Sequence, residues 1–141
     1  MKRILACLDA SPRASIVLER ATAIARATGA KLTLLRVVGL PRGTVLPVEA
    51  LSMSPNEIVE LWRRDAERDL EAARAGLPPD LVESAVAKVG SPWFTIVSSA
   101  RELGADLIVV GSHGYEPVDH LLGTTAAKVV NHADRSVLVV R

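Results

Sequence analysis

Three clusters in this chain have residue types and spacing that could do chemistry. Gly111-Ser-His-Gly114 follows the apolar run Leu107-Ile-Val-Val110, and Gly123-Thr-Thr125 opens a segment with helical spacing. Glycine lets backbone approach a ligand closely, and a helix N-terminus offers unpaired N–H donors with partial positive charge, so these two segments together suit a phosphate group. The third cluster, Asp9-Ala-Ser11, ends the first apolar run, Ile4 to Leu8, and adds a carboxylate and a hydroxyl. Neither Gly-x4-Gly-Lys-Ser/Thr nor Gly-x-Gly-x-x-Gly occurs, so any phosphate loop here is of another kind.

Each of these residues also has a plainer use. Ser11, Thr124 and Thr125 are residue types that cap helices, Asp9 suits the positive end of a helix dipole, and Gly111 and Gly114 suit a turn. His113 stands beside the loop, in reach of phosphate oxygens, whereas His120 and His132 read as solvated or helix-terminal. The three histidines lack metal-ligand spacing, and Asp65, Glu67, Asp69 and Glu71 read as the wet face of a helix. Cys7, Trp62 and Trp93 fall on apolar faces and are expected in the core.

The elements that must position these clusters alternate along the chain. Ile4 to Leu8 is a strand, after which Ser11 is expected as N-cap and Pro12 as first residue of a helix stopped by Gly29. A second strand, Leu32 to Val38, leads into an irregular stretch holding Pro41, Gly43 and Pro47. Ser54-Pro55-Asn56-Glu57 has the capping-box form and opens a helix ended by Gly76. Leu81 to Lys88 alternates like a sheet-edge strand, Pro92 restarts a helix that Gly104 stops, and Leu107 to Val110 is the fourth strand. A helix from Thr125 to His132 and a strand closing at Arg141 follow.

Five apolar strands separated by helices make right-handed βαβ crossovers. The expected fold is α/β: a doubly wound, five-stranded parallel sheet of order 3-2-1-4-5, Rossmann-like, with helices on both faces. In that order the chain reverses direction between strands 1 and 4, and ligands bind at the carboxyl ends of such strands. Asp9, Ser11 and Gly111 to Gly114 are placed there.

Composition narrows the function further. The 141 residues fit one domain, 49 % are apolar and 23 % charged, and no apolar stretch is long enough to span a bilayer. Seventeen basic residues face sixteen acidic ones with no basic run interleaved with aromatics, which argues against nucleic acid as partner. Met1-Lys-Arg-Ile-Leu enters a strand without a leader pattern, so a cytoplasmic location is expected.

Taken together, Ile4-Leu-Ala-Cys-Leu-Asp-Ala-Ser11, Gly104-Ala-Asp-Leu-Ile-Val-Val-Gly-Ser-His-Gly114, Leu121-Leu-Gly-Thr124, Val129-Val-Asn-His-Ala133 and Val137-Leu-Val-Val140 resemble the universal stress protein family. The resemblance implies a small cytoplasmic homodimer, with some members binding ATP. By it, Asp9 holds the nucleoside end, with Ser11 beside it as cap or contact, and Val37 offers backbone to the base. Gly111, His113, Gly114, Gly123, Thr124 and Thr125 surround the phosphates of ATP or ADP, with Mg2+ as a companion. The family's nucleotide-binding pattern is Gly-x2-Gly-x9-Gly followed by a hydroxyl residue, and here eight residues separate Gly114 from Gly123, while Ala126 replaces a frequent hydroxyl.

Two functions stay open on these grounds: a nucleotide-binding regulator in stress response, or a dimeric interaction module of the same family that works without nucleotide. In either case the terminal strand, Val137 to Val140, is expected at a sheet edge, where pairing with its own copy would satisfy its outer N–H and C=O groups. An enzyme is the weakest option, since no nucleophile, base and orienting residue assemble from the sequence.

Overall fold

The computed structural model describes residues 1–39, 52–113 and 121–141. The expected Gly114, the loop around Glu116-Pro117, His120 and most of the irregular stretch after the second strand lie outside the described residues. Five strands, β1 (Arg3–Cys7), β2 (Lys31–Val38), β3 (Val82–Val89), β4 (Leu107–Gly111) and β5 (Ser136–Val140), form one sheet of order β3-β2-β1-β4-β5. Every pairing is parallel, so the doubly wound order expected from the alternation is the order found. The helices are α1 (Ala14–Thr28), α2 (Pro55–Ala75), α3 (Pro92–Glu102) and α4 (Thr124–His132).

The inner strands β1 and β4 are nearly continuous apolar runs because both sheet faces are covered there. Along β1, Ile4 and Ala6 enter one core with Val17 and Ala21 of α1 and Leu70 of α2. Leu5, between them, enters the other with Ile96 and Ala100 of α3 and Val129 of α4. Pleat alternation thus sends neighbouring residues to opposite cores, and burying each large aliphatic side chain contributes about 1.5–3 kcal/mol. β3 lies at the edge and is only half-buried along most of its length. There Thr33 and Ser84 place their hydroxyl oxygens 3.2 Å apart across the β2/β3 pair.

Helix ends follow local chemistry, with one correction. α2 starts as the capping box requires, since Ser54 Oγ accepts from Glu57 N at 3.3 Å with Pro55 in the first turn. Gly29 ends α1 at φ +73°, a left-handed conformation that strains any residue with a Cβ. Ser11, however, is not the N-cap of α1, and Pro12 is not its first residue. The helix begins at Ala14, after Arg13, with no side-chain cap. The reason lies one turn earlier, where Asp9 Oδ1 accepts from Ser11 N (2.9 Å) and Ser11 Oγ (2.6 Å), folding residues 9–11 into an Asx turn before the helix can form.

Both tryptophans are half-buried rather than fully enclosed. Trp93 packs against the second core and meets the exposed ring of His132, the last residue of α4, edge-on at 4.5 Å. At the amino end of the sheet, Asp106 Oδ2 accepts from the backbone N–H groups of Lys2 and Arg3 at 2.7 and 3.0 Å, which holds its carboxyl below the usual aspartate range. No helix among the described residues is long and apolar enough to cross a membrane.

Candidate functional site

At the carboxyl end of the sheet, where β1 and β4 lie side by side, the chain leaves the two strands toward opposite faces. This topological switch point opens a crevice. A cleft of about 240 Å³ occupies it. One wall is apolar, built from Cys7, Leu35, Val37, Pro92 and Ile96, and the other is backbone-rich, built from Gly111 to His113 and Gly123 to Ala126. Asp9 stands between them at the tip of β1 and, among the described residues, is the carboxylate of the lining.

The polar wall owes its shape to one close approach. Ser112 N donates to Val140 O at 2.8 Å, carrying the β4/β5 ladder one residue past β4, and the returning chain then docks Gly123 N on Ser112 O at 2.6 Å. A Cβ at position 123 would stand 3.0 Å from that same oxygen and 3.4 Å from His113 Cα. Glycine is therefore needed here to seat the start of α4 against the tip of β4. A Cβ at Gly111 would meet only ordinary contacts, the nearest being Val17 Cγ2 at 3.4 Å.

Thr124 and Thr125 do not cap α4. Gly123 is its N-cap residue, no side chain accepts a hydrogen bond there, and no acidic residue lies in the first turn. The leading N–H groups of the helix have no intrahelical acceptors, and its partial positive charge has no carboxylate of its own to balance it. Ala126, where a hydroxyl was absent from the expected pattern, is 2 % exposed and belongs to the core beneath the cleft.

His113 forms the rim of this wall. It is 8 % exposed, its Nδ1 lies 3.0 Å from Ser112 Oγ, and its Nε2 is buried without a hydrogen-bond partner among the described residues. An orphaned ring nitrogen of this kind costs on the order of 1–3 kcal/mol unless something in the cleft completes it. Ser112 is fully buried and also receives a hydrogen bond from Arg13 Nη1 at 3.3 Å. Serine beside histidine suggests nucleophile and base. Here that chemistry is blocked, because the hydroxyl is enclosed and already engaged by a guanidinium.

Of the positions singled out in the sequence, Asp9, Val37, Gly111, His113, Gly123, Thr124 and Thr125 all line the cleft. Ser11 does not line it, and instead directs both its donors to Asp9. Gly114 lies outside the described residues. Cys7, expected as core, packs half-buried against the second core on the apolar wall, where desolvation pushes its thiol pKa up. Ser112 and Arg13 escaped sequence reasoning. The one local hint was a cation, Arg13, at the start of a helix, where the dipole disfavours it.

Fold and cleft define a class: a doubly wound α/β domain whose open helix N-terminus and apolar slot converge at the switch point. The whole chain, residues 1–141, matches the profile of the Universal stress protein family, and it belongs to that family. Among its relatives, Universal stress protein A homolog 1 of Coxiella burnetii is 29 % identical over 99 % of this chain and 95 % of its own length. The solved structure of hypothetical protein MJ0577 superposes with a TM-score of 0.81 at 27 % identity, covering 99 % of this chain and 94 % of that one. A universal stress protein solved in complex with cAMP is 27 % identical with a TM-score of 0.65, covering 99 % and 96 % of the two chains. One from Archaeoglobus fulgidus, solved in complex with dAMP, is 25 % identical with a TM-score of 0.63, covering 100 % and 98 %.

Proposed function

We propose that this chain is a regulatory stress-response protein that binds an adenine nucleotide, ATP or ADP, in the switch-point cleft and works as a cytoplasmic homodimer without catalysing a reaction of its own. The observation that carries the reading is that the uncapped, acid-free start of α4 and His113, whose buried Nε2 has no partner among the described residues, line the same cleft. An anion suits both features. The apolar wall of Leu35, Val37, Pro92 and Ile96 suits a base, and Asp9 suits a sugar hydroxyl, since Ser11 occupies only its Oδ1. The cAMP and dAMP complexes of related proteins support a nucleotide as the ligand class.

Mg2+ would enter with the phosphates rather than be held by a protein cage. Among the described residues no group of three or more His, Cys, Asp or Glu comes together, and Mg2+ commonly keeps several waters while binding phosphate oxygens. Dimer formation is assigned to β5, which ends the sheet order and has Val137, Leu138 and Val139 only half-buried. A second β5 across a two-fold axis would satisfy the open edge.

The test is thermal unfolding with millimolar ATP, ADP, AMP or cAMP, each with and without Mg2+. A ligand held by the native state at a hundred times its Kd adds roughly 2.7 kcal/mol of stability, so melting should rise by several degrees. No shift with any of the four would leave the nucleotide-independent interaction module as the reading.

A further inference from the structure

Arg13 and Ser112 are 99 positions apart, yet Arg13 Nη1 donates to Ser112 Oγ at 3.3 Å. A guanidinium has donors and no acceptor, so the direction of this bond is settled and the serine oxygen accepts. Ser112 is fully buried, and its single hydroxyl proton therefore needs an acceptor of its own. Among the described residues the partner within reach is Nδ1 of His113, at 3.0 Å. With the serine proton directed there, Nδ1 carries the lone pair, and the proton of the neutral imidazole sits on Nε2. Among the described residues this Nε2 is buried and has no partner, and its residue lines the cleft.

We infer that Arg13 and Ser112 are positioning residues that act through His113, holding its imidazole as an Nε2–H donor toward an acceptor oxygen of the cleft's ligand. This rests on the nucleotide reading and refines it. The oxygen that lands on His113 must have a lone pair to give, which a phosphate has and a ligand ammonium lacks. Arg13 supplies the direction of the relay and, among the described residues, has no carboxylate to neutralise it. Its place at the N-cap position of α1, with no side-chain capping bond, is then explained by a partner on β4's far end rather than by the helix it precedes.

Two measurements on the full chain test this. Long-range 1H–15N NMR of His113 in the nucleotide-free protein should show a pyridine-like Nδ1 and a pyrrole-like Nε2, and Arg13→Gln should blur that pattern while Arg13→Lys preserves it. A proton on Nδ1 in the wild type would overturn the relay. In the second measurement, ATP affinity is read calorimetrically for Arg13→Gln, Ser112→Ala, His113→Leu and His113→Gln, with melting curves confirming that each variant folds.

The first three should each weaken ATP by roughly tenfold, the scale of one charge-assisted hydrogen bond, while His113→Gln, which carries an N–H at similar reach, should stay close to wild type. Combined with His113→Leu, Arg13→Gln should cost nothing more, because its effect passes through the ring. A full additional loss in that double variant would overturn the relay and make Arg13 a direct ligand contact. A wild-type protein that takes up no adenine nucleotide would overturn the nucleotide reading instead, and the NMR measurement then decides the relay alone.

Discussion

The residues that follow β1 and the described residues after β4, 112–113 and 123–126, meet at the switch point, and they treat their polar groups differently. After β1 the chain satisfies itself: Asp9 takes both donors of Ser11, and Ser11 Oγ in turn accepts from Arg13 N at 3.3 Å. After β4 the described residues leave more open, although Ser112 Oγ lies 3.0 Å from His113 Nδ1 and accepts from Arg13 Nη1. Gly123 brings no side chain, the first turn of α4 carries no acid, and among the described residues His113 keeps a ring nitrogen unmatched. The segment after β1 is finished by its own residues, and on the proposed function a ligand completes the wall after β4. Of the buried side-chain atoms left without a partner among the described residues, Thr22 Oγ1 and Ser99 Oγ lie in helices away from the cleft lining, and His113 Nε2 belongs to a residue that lines it.

Gly123→Val should break this contrast most severely. Its side chain meets Ser112 O, pushes the start of α4 away from β4 and removes at least two backbone donors from the phosphate position. Calorimetry should show ATP affinity falling by about a hundredfold, with circular dichroism still reporting the α/β fold. Thr124→Asp makes the second turn resemble the first, by placing a carboxylate on an exposed first-turn position. Urea unfolding without ligand should find the variant more stable by about 0.3–1 kcal/mol, while ATP binds about tenfold more weakly. Stability and binding moving in opposite directions is the signature of a site kept open at a cost.

Ser11→Ala probes the finished turn. It should cost about 1 kcal/mol in the same urea experiment, with a much smaller loss of ATP affinity than either α4 variant. The smallest effect is expected at Ser99, whose fully buried hydroxyl in α3 also lacks a partner among the described residues but lies away from the cleft lining. Ser99→Ala should be neutral or stabilising by up to about 1 kcal/mol and should leave binding alone, which separates an orphan in the core from an orphan at the site.

Much of this architecture could be read from the chain because its signals are local and agree with one another. Leu107 to Val110 is apolar throughout since both faces of β4 are covered, and at Ser54 the hydroxyl accepts from Glu57 N as the local pattern predicts. Ser11-Pro12 has the same look and failed as a helix start, because Asp9, two residues earlier, captured the serine first. Thr124 and Thr125 were plausible caps until the packing of Gly123 on Ser112 fixed where α4 begins. The link between Arg13 and Ser112 spans 99 positions and two elements, and no periodicity encodes such a contact. It becomes visible only when the sheet order sets α1 beside the end of β4.

The central claim, that the open start of α4 receives the phosphates, is tested most directly by following backbone amides in 1H–15N spectra as ATP is added. The amides of Gly123, Thr124, Thr125 and Ala126 should shift together and saturate with a single affinity, while those of Lys2, Arg3 and Asp106 at the opposite end of the sheet stay still. Saturable shifts elsewhere with these four unmoved, or no saturable shifts at all, would contradict it.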